Sequence, residues 1–192
     1  MRVTQRDMDA GHRLIVEGAS RLLREQGVRD TSVGHAMQQA GMTHGGFYRH
    51  FQSKDELVIE ALRQAFDDFL QPLEQRQHVE APVAVAAEYR SLYLSQQHLD
   101  NPGQGCPIPA LGSEVARAQE PVKAEFAAGV QRLIAALAST KEGSADARAT
   151  AATREMAMLA GAVLIARASD ASTARAVLDA CRLHCAPSGE SR

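Results

Sequence analysis

Gly41-Met42-Thr43-His44-Gly45-Gly46-Phe47-Tyr48-Arg49-His50-Phe51 is the stretch on which the reading of this chain turns. Gly41 interrupts a helical pattern, Met42 offers an apolar plug for a turn, and Thr43 carries an oxygen able to cap a new helix running to about His50. Phe47 and Phe51, one helical turn apart, predict an inward face against Leu22, Val33 and Met37. Just upstream, Thr31 or Ser32 can cap a short helix whose inward set, Val33, Ala36, Met37 and Ala40, has i, i+3, i+4, i+7 spacing. Two short helices about a glycine turn make a helix-turn-helix signature.

Outward from this stretch the pattern stays helical. A first helix is predicted from about Asp9 to Gln26, with Gly27 as its stop. Ser53-Lys54-Asp55-Glu56 reads as a capping box that opens a long helix with the stripe Leu57, Ala61, Leu62, Ala65, Phe66, Phe69 and Leu70, which Pro72 can bend or end. Further helices are expected near 82–98, from about Pro107 to Gln119, from Pro121 to about Ser139, near 145–168 and about 171–185. Ala, Leu, Arg, Glu and Gln dominate, Trp is absent, and Val, Ile and Thr form no alternating runs, so the expected fold is all-α. The expected division is a head over 1–53, a body over 54–186 and a disordered tail over 187–192.

Charge is unevenly placed. The chain as a whole carries -2, but residues 1–54 carry +3 and four of the seven histidines, which leaves -5 on the remainder. A basic head on an acidic body suits contact with phosphate at one end only. No run of eighteen apolar residues and no apolar segment behind the N-terminal charges is present, so a cytoplasmic chain with no membrane partner is expected. Cysteines at 106, 181 and 185 are odd in number and read as reduced thiols.

In the short helix after Thr43, a helix N-terminus aimed at DNA offers free N–H groups and a positive dipole end to phosphate, with the Thr43 hydroxyl beside it. Gly45 and Gly46 together cost about 2 kcal/mol against alanine, and their use is to let backbone approach the major groove. His44 and Arg49 are placed for base edges, Tyr48, His50 and Lys54 for phosphates, and Thr31 and Gln38 complete the candidate DNA-binding set.

Thr31-Ser32-Val33, the run Ala40 to Phe51, and Ser53-Lys54-Asp55-Glu56-Leu57 together closely resemble the N-terminal domain of TetR-family regulators. The chain departs at Gly34 and Ala36, where that family often has a polar residue and Ile. The resemblance implies a three-helix head, a helical ligand-binding and dimerising body, and repression of an operator relieved by a small molecule. Such heads act in pairs, because one short helix reads few base pairs, so a palindromic double-stranded operator and a homodimer are the expected partners. The dimer surface is expected on the last two helices, from Met156, Leu159, Ala160, Val163, Leu164 and Ala166 with Ala174, Val177, Leu178 and Cys181.

In the body, Phe66, Phe69, Tyr89, Tyr93 and Phe126 are the aromatics available to line a site for a small-molecule effector, with Arg90, Gln96, Gln97 and His98 as polar anchors. Cys106, just before Pro107, falls at a helix start that favours thiolate, which makes it a candidate detector of oxidants or electrophiles. Cys181, His184 and Cys185 supply too few ligands for a metal centre, and no cofactor is expected. Two rival functions are a thiol-dependent enzyme working through Cys106 and a DNA-binding protein indifferent to sequence. The chain has no Gly-x-Ser-x-Gly elbow, His-Glu-x-x-His or phosphate-cradling glycine loop, so no catalytic residue is assigned.

Overall fold

The computed structural model describes residues 4–77 and 80–185, and the expected tail at 187–192 lies outside them. Every regular element among the described residues is helical: α1 (Gln5–Asp30), α2 (Val33–Gln39), a 3-10 helix (His44–Arg49), α3 (Lys54–Gln77), α4 (Pro82–Tyr93), α5 (Gln96–Asp100), a second 3-10 turn (Pro102–Gln104), α6 (Pro107–Val115), α7 (Glu120–Ala138), α8 (Ala145–Arg167) and α9 (Ala171–Cys185). By packing they form two units, residues 4–69 with Pro102–Val130, and residues 70–101 with 131–185.

The first unit is built on one core. Ile15, Val16, Ala19 and Leu23 of α1, Ala36 and Met37 of α2, Phe47, Phe51, and Leu57, Val58, Ala61 and Leu62 of α3 are buried together with Leu111, Val115 and Val122. Leu23 thus takes the place expected of Leu22. The α1 chain is capped by Thr4, whose hydroxyl accepts from Asp7 N–H while Asp7 returns a bond to Thr4 N–H, a capping box not foreseen in the sequence. The helix breaks where Gly27 was expected to stop it, at φ +87°, a backbone that only glycine holds without strain. The α3 box is looser than expected. Ser53 Oγ accepts from Glu56 N–H at 3.1 Å, but the Glu56 carboxylate takes the Gln52 N–H instead of returning to Ser53.

One buried cation organises this unit. The Arg24 guanidinium, 1% exposed, donates to Ser20 O and Ser20 Oγ on its own helix, to Gly105 O at 3.2 Å and to Asp68 Oδ2 of α3 at 3.2 Å. Burial lowers its pKa, and the Asp68 carboxylate offsets part of that. On α7, Gly129 admits the Phe66 ring, which a Cβ there would meet at 2.1 Å.

In the second unit α8 packs along α9, and α4 and α5 pack on them. The helix expected over 82–98 is broken. Ser95 Oγ donates to Leu92 O and accepts from His98 N–H, so a serine side chain takes over backbone bonding and starts α5. Pro72 neither ends α3 nor stops it short of Gln77. Among the described residues α8 is long and apolar enough to cross a membrane, with 44% of its most apolar window buried.

His98 is buried and donates Nδ1–H to Tyr93 O at 2.6 Å, with its ring edge-on to Tyr93. Burial pushes its pKa below the ordinary 6.5, against the carbonyl bond and helped by Arg167. Below pH 6.5 the unfolded chain therefore takes up this proton before the folded one, and stability falls with pH until the folded value is reached. Denaturant unfolding at about pH 7 and about pH 5.5 should show the wild type losing up to ~1.4 kcal/mol per pH unit more than His98→Asn in this window. Equal losses would remove His98 as the cause.

Candidate DNA-binding interface

Met37, Gly41 and Met42 set the turn. Gly41 adopts φ +70°, its N–H bonds Gln38 O at 2.9 Å, and Met42 N–H bonds Met37 O at 2.8 Å. The chain then enters the helix expected after Thr43, and here the expected cap is corrected. His44–Arg49 is a 3-10 helix, and Thr43, at its N-cap, makes no side-chain capping bond. Six residues with two glycines gain too few i to i+4 bonds to offset glycine's entropy, so the tighter, shorter form results.

The turn is held from inside. Phe47 and Phe51 are buried at 1% and 2% exposure, their rings stacked with centroids 5.4 Å apart. Tyr48 sits edge-on to Phe47 at 5.3 Å but is 76% exposed, so its hydroxyl is presented to solvent by a ring fixed at its base. Thr43, His44, Gly45 and Arg49 are exposed, as is Gln38 on α2. A Cβ at Gly34 would meet His44 Cδ2 at 3.7 Å, an ordinary van der Waals contact, so space at His44 does not require the glycine. These residues form one solvent-facing group on a packed core, with half-buried Gly46 and His50 at its margin.

Two expected members have other work. Thr31 is 3% exposed and its hydroxyl donates to Gly27 O at 2.7 Å, closing the end of α1. Ser32 is the cap of α2, accepting from His35 N–H at 3.1 Å. Thr31 is therefore removed from the solvent-facing set. Lys54 is half-buried and donates one ammonium proton to Val28 O at 2.8 Å, which steers the remaining two outward from the start of α3.

Sequence reasoning missed His12 and Glu60. His12 of α1 bonds Glu60 of α3 at 2.7 Å, stacks on Phe51 with centroids 4.5 Å apart, and lies 6.0 Å from the His50 ring. Burial, followed by His12 and Arg49, holds the His50 pKa below the usual histidine value. No short-range spacing could have joined residues 12, 50 and 60.

The residues expected to take a ligand divide between the units. Phe66 is buried against Phe126 at 5.7 Å, Phe69 and Phe126 are half-buried, and Cys106 is fully buried at the N-cap of α6, all in the first unit. Tyr89 and Tyr93 lie 5.6 Å apart in the second. Arg90 is committed to Glu155 at 2.7 Å, and Lys141 bonds the same carboxylate. Burial works to raise the Glu155 pKa, yet the two cations outweigh it and hold the group ionised. A cleft of about 300 Å³ lies on α1 and Gln39, lined by Leu14, Glu17, Arg21, Leu22 and Glu25, and includes none of the residues expected to bind a ligand.

A helix-turn-helix head on an all-α frame, with its polar side chains gathered on one exposed turn, defines a DNA-binding class of protein. Residues 15–61 match the family model for bacterial regulatory proteins of the tetR family. The likeness to this family is carried by the head, about a quarter of the chain. It is 37% identical over 59 residues to the HTH-type transcriptional regulator AcrR of Shigella flexneri, covering 31% of this chain and 27% of that one. It is 39% identical over 54 residues to the HTH-type transcriptional repressor KstR2 of Rhodococcus jostii, covering 28% and 26%. The matches thus span about a quarter of those relatives. Beyond the head the likeness is one of fold: reduced NemR of E. coli superposes with a TM-score of 0.77 at 18% identity, over 91% of this chain and 94% of that one. A TetR-family regulator of Agrobacterium tumefaciens gives 0.74 at 22% identity, over 92% and 98%.

Gly45 isolates the close-approach role from folding. A Cβ there would meet nothing within 4 Å, so Gly45→Ala should keep or raise thermal stability, by at most ~1 kcal/mol. It should also weaken DNA binding about tenfold, since a methyl then stands between backbone and groove. Unchanged affinity would show that the glycine serves no such approach.

Proposed function

We propose that this chain is a ligand-responsive transcriptional repressor of the cytoplasm, which binds a palindromic operator as a homodimer and leaves it when a small molecule binds the body. The observation that carries this is the exposed group Thr43, His44, Gly45, Tyr48 and Arg49 on a turn pinned by Phe47 and Phe51. Tyr48 of that group, with His50 at its margin and Lys54 at the start of α3, meets phosphates, Thr43 and the turn's N–H groups add contacts, and His44 and Arg49 read base edges with Gln38 nearby. The finding that most TetR-like parts of the chain are its first sixty residues supports DNA recognition more directly than it supports any effector.

Pairing through α8 and α9 is supported by Leu164, Ile165 and Leu183, which are 48%, 47% and 78% exposed, whereas Met156, Leu159, Val163 and Leu178, expected on that surface, are buried within the chain. Release by a bound small molecule is preferred to detection of oxidants by Cys106, because a thiol with 0% exposure is shut off from a reagent in solvent. A ligand site in the first unit, drawing on Phe66, Phe69, Cys106 and Phe126, is part of the proposal on the ground of residue chemistry alone, and Tyr89 and Tyr93 belong to the second unit.

Alanine at both Tyr48 and Lys54 should weaken binding to every duplex by ten- to a hundredfold while leaving site preference unchanged, as read by anisotropy at one salt concentration. His44→Ala should instead alter preference among duplexes. Wild-type affinity in the Tyr48/Lys54 double variant would overturn the interface. Charge at the expected dimer face, Leu164→Glu with Ile165→Glu, should convert a dimer to a folded monomer in sedimentation; an unchanged mass would place the dimer surface elsewhere.

A further inference from the structure

We propose that His12 is a positioning residue for the phosphate contact of His50, held in place by Glu60 and the face of Phe51, and that this arrangement couples DNA affinity to pH. The proposal rests on the reading of His50 as a DNA-facing residue.

Three contacts fix His12. Its Nε2 meets Glu60 Oε2 at 2.7 Å, and since a carboxylate only accepts, that nitrogen carries the proton. Its ring stacks on Phe51 at 4.5 Å with an interplanar angle of 26°. Phe51 in turn is 2% exposed, so His12 is tied to the same core that holds the DNA-facing turn. The His50 ring rests against this assembly, 6.0 Å from His12 and 6.3 Å from Phe51. It also leans on α1 at Gly11, where an added Cβ would come within 3.4 Å of His50 Cε1. Gly11 and His12 therefore form the seat of His50, which keeps its ring at the edge of the exposed group.

The charged neighbours decide the consequence. On the His50 side are Arg49 and His12, both of which disfavour a second positive charge, and behind His12 stands the Glu60 carboxylate that offsets it. A free His50 is thus mostly neutral near pH 7, whereas a DNA phosphate favours its protonated, two-donor form. Binding then takes up a proton, and affinity rises as pH falls through the interval between the free and bound titrations of His50. Burial of the ring weighs most on where that interval begins, and His12 and Arg49 add to it, with Glu60 holding His12 in place.

The test compares wild type, His12→Gln, Glu60→Gln and His50→Gln on a labelled mixed-sequence duplex of about 30 base pairs, enough for two half-sites one turn apart. Anisotropy is read at one low salt concentration from about pH 6 to about pH 8.5, and the imidazole ring protons of the free proteins are titrated by NMR. Wild-type affinity should increase toward acid by up to about tenfold per pH unit, and His50→Gln should flatten the profile. His12→Gln should move the His50 midpoint up and Glu60→Gln should move it down, in both measurements. If His12→Gln fails to fold, Glu60→Gln carries the comparison. Binding retained with His12→Gln and Glu60→Gln profiles superimposed on wild type would overturn this proposal alone. A folded wild type that binds no duplex at any pH would overturn the DNA-binding reading, and this proposal with it.

Discussion

The burial of Phe47 and Phe51 is the constraint on which the rest of the head depends. The segment that presents His44, Tyr48 and Arg49 is six residues long and contains two adjacent glycines, which together cost about 2 kcal/mol of helix propensity. Left to local forces it would not hold one shape. A large aromatic in a close-packed core is worth about 3–5 kcal/mol on truncation, so two of them outweigh that loss. The stack of Phe47 on Phe51, with His12 laid on the far ring, converts core packing into fixed directions for the exposed side chains between them. Affinity for a groove needs such fixed directions, because side chains ordered only on binding would lose the entropy then.

The same core ties the head to segments far away in sequence. Leu111, Val115 and Val122 are buried in it, so α6 and the start of α7 belong to the head's packing unit although by role they were expected in the body. Polar contacts follow the same route. Glu114 accepts from Arg29 N–H at 3.0 Å, and its carboxylate lies where a Cβ on Gly27 would stand. Arg24, three residues before the break at Gly27, reaches Gly105, next to Cys106. Division by packing and division by role are different quantities here, and the α6 contacts show why.

Much of this was legible in the sequence. The inward sets of α2 and α3, the stop at Gly27, the positive-φ turn at Gly41 and the limits of α7 to α9 follow from periodicity and glycine placement, which are local signals. The failures have local causes of another kind. Thr31 and Ser32 are both competent caps, and the choice fell to Ser32 because Thr31 could close α1 on Gly27 O. The helix over 82–98 broke because Ser95 bonds backbone better than it continues a helix. The 3-10 form of the exposed turn was hidden because its apolar spacing fits either helix. His12 with Glu60, Arg90 with Glu155 and Arg24 with Asp68 were illegible for a different reason: each pair is joined by tertiary packing across more than forty residues.

The central claim is that the exposed turn reads DNA sequence. The measurement that bears on it most directly is the ratio of affinities for a palindromic duplex from the chain's own upstream region and for a scrambled duplex of equal length, at one stated salt concentration. A sequence-reading dimer should prefer the palindrome by about a thousandfold or more. Equal affinities would contradict the account and leave a head that binds phosphate without reading bases.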